Sequence, residues 1–365
     1  MNMINKINIK NFKSIVDLDI DLGRINILIG ANGCGKTNIL EAIAFVSAAN
    51  QEKLDNEYLG ARLRLTDSAF MLSEFYDNEN IEYENMIDIA IDDIPGPNVL
   101  CFAHYNLNTN KWDNKNKNVD IDEYLSKLND GNITKLVEYV KTKVYINPHL
   151  ASFLIFSPEE TNLRKFSDDT MIRPLGRRGE GMFRHLKELL SNGNKEIMEA
   201  LNAGLSLLDW FKGFEIPKDL FTQENRLNIV DRYLKETKPF FDQHSTNEGF
   251  LFLLFYLILF NSPKTPSFFA IDNIETSLNP KLSRRLLQYL AEVAKKTDKQ
   301  VIITTHSPYV LDGLDLSDDE QRLFVVRRNI DGHTKVSRVP YKENRNLLLS
   351  EVWMSGVLGG LPDNF

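Results

Sequence analysis

One octapeptide constrains this chain more than any other stretch: Gly30-Ala31-Asn32-Gly33-Cys34-Gly35-Lys36-Thr37 fits the pattern G-x4-G-K-[ST] without departure. Before it stands a short apolar run, Ile25-Asn26-Ile27-Leu28-Ile29. After it, Thr37 to Ala49 has helical periodicity and good helix formers. A strand, a glycine loop and a helix in that order turn backbone N–H groups inward and aim the positive end of the helix at the loop. Lys36 then supplies a cation for outer phosphates, and Thr37 a hydroxyl for magnesium. At ordinary glycine frequency, a chance match in a chain of this length is roughly a one-in-a-hundred event.

Length and composition set outer limits. The 365 residues suit one or two domains, and 42% hydrophobic with 26% charged residues is an ordinary globular balance. The longest apolar run, Phe250 to Phe260, suits a buried helix and falls short of the ~18 residues a spanning helix needs. The opening MNMINKINIKNFKS lacks the apolar core of a signal peptide. Cys34 and Cys101 are too few for a disulfide framework or a zinc ribbon. A cytoplasmic protein without a membrane partner is the expectation. The formal net charge of −8 would repel nucleic acid, so such binding must come from a local patch or through a partner. Two basic clusters, Arg173, Arg177, Arg178, Arg184 and Lys187, then Arg327, Arg328, Arg338 and Arg345, read as solvated faces.

Residues 4–20 alternate as two strands joined by Asn11-Phe12-Lys13-Ser14. Between about 60 and 240 the character changes. Short alternating runs at 87–91 and 99–102 flank an Asn/Lys-rich turn region at 106–118, and amphipathic helices are expected at 121–143, 180–191 and 224–240. From Asn247 the α/β pattern returns: helix 250–260, strand 267–271, helix 281–296, strand 301–304, then 323–327 and 335–339. The division expected is a first half of the core with the glycine loop (1–60), an insertion (61–240), a second half of the core (241–345) and a tail (346–365). No repeat or long heptad run is present.

Two further positions carry chemistry. Ser267 to Ile271 is an apolar run ending in Asp272, a carboxylate at a strand end that suits a water-mediated magnesium contact. Val301-Ile302-Ile303-Thr304-Thr305 ends in His306, which can touch a γ-phosphate and sense its loss.

Taken together, KINIKNFKSI, GANGCGKTNILEAI, IDNIETSLNP and IITTHSPYVLD resemble the motifs of the ABC-class ATPases of the RecF, SMC and OLD group. The resemblance covers both ends of the chain and is weak in the middle, around Phe156-Ser157-Pro158 and Gly179-Glu180-Gly181. It implies an α/β fold: an ABC-ATPase core like the RecF and SMC heads, with a large α/β insertion and no long coiled coil. It implies ATP and Mg2+ as ligands. Gly30, Asn32, Gly33, Cys34, Gly35, Lys36, Thr37 and Asn38 would hold the nucleotide, with Lys13 nearby. Thr37 and Asp272 would hold the metal, and His306 would be the switch histidine. It further implies that two heads sandwich two nucleotides, in a homodimer or higher even oligomer, each offering a signature segment to the other. Asn247-Glu248-Gly249 is the candidate, with Asn247 in the place of the usual serine. After Asp272 the family usually has glutamate; this chain has Asn273, and Asn279 replaces a frequent histidine. An amide cannot take a proton, so Asn273 would orient water, Glu275 would carry what catalysis remains, and hydrolysis would be slow.

OLD nucleases carry a Toprim metal site after the ATPase. About 25 residues follow Pro340 here, without an acidic cluster. The expectation is therefore an ATPase that controls a separate effector, such as a nuclease, as in Septu-type PtuA and retron-associated anti-phage systems. The alternative is a repair ATPase acting on DNA in the RecF manner. A transporter subunit fits less well, since the insertion is long and no LSGGQ is present.

Overall fold

Alternating apolar residues at the N-terminus pair as period two dictates: β1 (Ile4–Phe12) and β2 (Ile15–Asp21) form an antiparallel hairpin with Ile7 opposite Ile20 and Ile9 opposite Leu18. Its tight turn places Asn11 (φ 56°) and Lys13 (φ 49°) in the left-handed region. β3 (Ile25–Ile29), buried along its whole length, follows and leads to the glycine loop and helix α1 (Lys36–Asn50). The computed structural model describes residues 3–64, 68–73, 75, 86–93, 99–106, 109, 111–114, 148–165, 172–191, 194–217, 226–235, 240–343 and 347–361. The expected helix at 121–143 and Arg345 lie outside these. The chain gathers into two units, residues 1–23, 32–153 and 326–337 in the first, and 24–31, 154–325 and 338–365 in the second.

In the first unit, β4 (Met86–Asp93), β5 (Val99–Asn106) and β6 (Lys111–Asn114) extend the hairpin to an antiparallel sheet of order β2-β1-β4-β5-β6. β6 corrects the reading of 106–118 as a turn region. Trp112 is buried there, with its ring 5.1 Å from Phe45 of α1 and 5.0 Å from Tyr105. A single large aromatic with a core to enter outweighs the polar residues around it.

In the second unit, β3 sits inside a parallel sheet with β7 (Ile155–Phe156), β10 (Phe268–Ile271), β11 (Gln300–Thr304) and β12 (Gln321–Arg328). Within this unit the order is β12-β3-β11-β10-β7, and β13 (Thr334–Arg338) falls in the first unit except for its last residue. Helices α2 (Met182–Ser191), α3 (Lys195–Leu205), α4 (Glu248–Asn261) and α5 (Pro280–Thr297) belong to this unit. Every residue from Phe250 to Phe260 of α4 is buried, as an all-round apolar helix must be. α5 instead buries one stripe, Leu282, Leu286, Leu287, Leu290 and Ala294. Over the described residues 226–235, the segment expected as a helix at 224–240 is not helical: β9 (Asn228–Asp231) runs there, antiparallel to β8 (Phe211–Glu215), with Leu227 and Ile229 buried. Its short apolar alternation suited either period, and the partner strand decided it.

Candidate nucleotide site

Gly30, Gly33 and Gly35 take φ values of 150°, 75° and 109°. Only glycine adopts these without strain, so the loop's backbone path requires its glycines. Asn32 and Gly33 are exposed, Cys34, Gly35 and Lys36 are buried, and Thr37 and Asn38 are half-buried. Gly35 is the N-cap of α1, which has no side-chain cap and no acidic residue in its first turn. The Lys36 ammonium lies 3.7 Å from Cys34 Sγ.

A chain of hydrogen bonds braces the loop. Asn38 Nδ2 donates to Ser14 Oγ (2.7 Å), which lies 2.7 Å from Thr334 Oγ1, and Thr334 Oγ1 donates to the Cys34 carbonyl (3.0 Å). Thr334 packs so closely that a Cβ on Gly35 would overlap its hydroxyl. The side-chain amide of Asn38 thus faces Ser14. Lys13 Nζ lies 2.6 Å from Glu41 Oε2 on α1, while Glu41 Oε1 accepts from Arg64 Nε (3.0 Å) and N–H (2.9 Å). Burial pushes the Glu41 carboxyl up, but Arg64 and Lys13 more than reverse it and hold it below the usual carboxylate range.

The acidic end lies in the second unit. Asp272 follows β10, its N–H bonded to the Phe156 carbonyl at 2.8 Å. Its Oδ1 accepts from Thr304 Oγ1 at 2.5 Å, and the same hydroxyl accepts from Asn273 N–H at 2.9 Å. Asn273 is left-handed (φ 57°), and its side-chain amide bonds to none of the described residues. Glu275 spends both oxygens on the turn after β11: Oε2 accepts from Thr305 Oγ1 and Oε1 from His306 N–H, each at 2.8 Å. His306 is exposed. Among the described residues no group of three or more His, Cys, Asp or Glu could hold a metal.

Asn247 caps α4, accepting from Phe250 N–H at 2.9 Å. Glu248 accepts from Ser277 Oγ at 2.8 Å, and a Cβ on Gly249 would approach the Ser277 carbonyl to 3.2 Å. The segment therefore packs on the turn after Glu275, two residues before Asn279 caps α5. Sequence reasoning passed over Ser14, Glu41, Arg64, Thr304, Thr305 and Thr334. The one signal available was the paired threonine before His306. The basic clusters are partly spent on pairing: Arg178 with Glu159, and Arg338 with Asp319.

Two family models divide the chain. The "AAA ATPase domain" matches residues 3–175, and the "AAA domain, putative AbiEii toxin, Type IV TA system" matches residues 189–312. The chain is a P-loop ATPase related to OLD nucleases, RecF and SMC heads. An OLD nuclease of Thermus scotoductus is 23% identical over 385 residues, 99% of this chain and 68% of that protein. The DNA replication and repair protein RecF of Oenococcus oeni is 40% identical over 55 residues, 15% of each chain. Among solved structures, an SMC head bound to the C-winged helix domain of ScpA superposes with a TM-score of 0.57 at 18% identity, covering 93% of this chain and 98% of that one. An SMC head bound to the C-terminal domain of ScpA derived from Pyrococcus furiosus gives 0.52 at 16%, covering 93% and 97%. These likenesses show the fold. No described helix of this ATPase is long and apolar enough to cross a membrane.

Proposed function

We propose that this ATPase binds ATP with magnesium, hydrolyses it slowly, pairs with a second copy through its heads, and controls a separate effector, a nuclease, in defence against phage. The observation that carries the nucleotide assignment is the end of α1. Its N-terminus is built from glycines at positive φ and lacks a side-chain cap, the arrangement that leaves a helix end to an anion. Lys36 would add its charge to the outer phosphates, and Asn32, Gly33 and Cys34 would offer backbone donors. The Thr37 hydroxyl, and Asp272 through water, would hold magnesium, which would supply positive charge against the phosphates. Asn273, whose side-chain amide bonds to none of the described residues, is the group left to orient water. His306 would meet the γ-phosphate, and Asn247, Glu248 and Gly249 would face the nucleotide of the second copy.

Control of a partner is supported by the SMC heads, two of which are recorded bound to ScpA domains. A nuclease effector is suggested by the OLD relative, 68% of whose length this chain matches. The RecF likeness favours the second reading, direct action on DNA. Calorimetry of the purified chain with ATP and magnesium, followed by its mass with and without ATP, tests the main reading. Uptake with a doubling of mass is expected; no uptake overturns it. Turnover stimulated by DNA with a steep salt dependence would favour the RecF manner instead.

A further inference from the structure

We infer that Thr304 and Thr305 are positioning residues that clasp the two carboxylates of the β10 turn, and that Glu275 works through this clasp by setting the backbone at His306 instead of taking a proton from water. The inference rests on the ATPase reading above. Four hydrogen bonds of 2.5–2.9 Å join residues 272–275 to residues 304–306. The Thr304 hydroxyl accepts one N–H and donates its proton to Asp272, which fixes the rotamer of that carboxylate. The Thr305 hydroxyl accepts from Ser307 N–H at 3.0 Å and donates to Glu275, which also takes the His306 N–H. Both threonines are fully buried, so water does not compete for these bonds.

A general base needs a lone pair directed at water. Each oxygen of Glu275 already accepts from a donor on the histidine turn, and these two bonds hold the carboxylate against that turn. The consequence is a mechanical link: the carboxylate assigned to the metal and the turn bearing the histidine are held by adjacent residues of one strand. A shift of β11 would move both together. Thr304 orients a metal-binding oxygen through a hydrogen bond, as outer partners of metal ligands do.

The test uses Thr305→Val, Thr305→Ser, Glu275→Ala, the double variant Thr305→Val/Glu275→Ala, and Thr304→Val in the full chain. Hydrogen exchange without nucleotide should show the His306 amide exchanging about tenfold faster in Glu275→Ala, and unchanged in Thr304→Val. In turnover assays, Thr305→Val and Glu275→Ala should each lower kcat on the order of 10²-fold, with the calorimetric Kd for ATP and magnesium within about twofold of the parent. Because both remove one shared bond, the double variant should be no slower than the slower single variant, and Thr305→Ser should restore the rate. Thr304→Val should raise the magnesium needed for half-maximal nucleotide uptake about tenfold. Full turnover in Thr305→Val beside a dead Glu275→Ala would overturn the clasp and return Glu275 to the water. An unchanged His306 exchange rate in Glu275→Ala would overturn it independently of nucleotide. Failure of the parent chain to take up ATP, with the exchange result as expected, would sink the ATPase reading alone.

Discussion

Helices α3, α4 and α5 begin with an asparagine whose side chain accepts a backbone N–H three residues on: Asn194 from Ile197, Asn247 from Phe250 and Asn279 from Leu282. Helix α1 begins with Gly35 in the left-handed region and has no such bond. A cap of the first kind satisfies an end donor from within the chain and contributes about 1 kcal/mol to stability. An uncapped start forgoes that gain and keeps the positive end of the helix for an outside anion. The contrast teaches that helix ends within one chain can be treated in two ways: those of α3, α4 and α5 are satisfied by a neighbouring side chain, and that of α1 is left open.

Substitutions at the helix starts break or sharpen this contrast, from the largest effect to the smallest. Lys36→Ala should weaken uptake of ATP with magnesium on the order of 10²-fold, since hydrogen bonds to charged groups contribute about 1.5–3 kcal/mol. Calorimetry reads it, and affinity within threefold of the parent would remove the loop from the site. Gly35→Ala places a Cβ over Thr334 at a φ of 109°, and should lower unfolding stability by about 1–3 kcal/mol. The denaturant midpoint measures it. Adding Thr334→Ala should recover only the steric part, leaving the backbone strain.

The smaller effects come from the capped helices. Asn247→Ala and Asn279→Ala should each cost about 1 kcal/mol in a denaturant titration. They should differ in function: Asn279→Ala leaves ATP-driven doubling of mass intact, while Asn247→Ala abolishes it if this residue faces the second copy's nucleotide. Equal doubling in both variants would make Asn247 a cap and nothing more. Asn247→Ser should keep both stability and pairing, because a serine hydroxyl caps and also donates to a phosphate.

The strand, loop and helix around residues 25–50 were legible because each signal is local: an apolar run, glycines and helix formers in consecutive positions. Phe268–Ile271 and Gln300–Thr304 were legible as strands for the same reason, and α4 by its unbroken apolar sequence. Residues 224–240 misled because an amphipathic pattern is shared by helix and strand, and the pairing of Ile229 with Phe214 lies outside any local window. Residues 106–118 misled because composition averages over Trp112, whose burial against Phe45 decides the strand. The bond from the Asn38 amide to Ser14 is visible only in the folded chain.

The sequence by itself determined the phosphate loop, the α/β class and the order of the chemical positions, since these depend on neighbours along the chain. Tertiary structure alone decided which donors face which acceptors. Thr304 and Thr305 meet Asp272 and Glu275 from about thirty residues away, and Thr334 reaches Cys34 from three hundred. A hydrogen bond depends on distances near 3 Å, and a strand pair or a packed hairpin sets those distances without leaving a pattern in the letters between them.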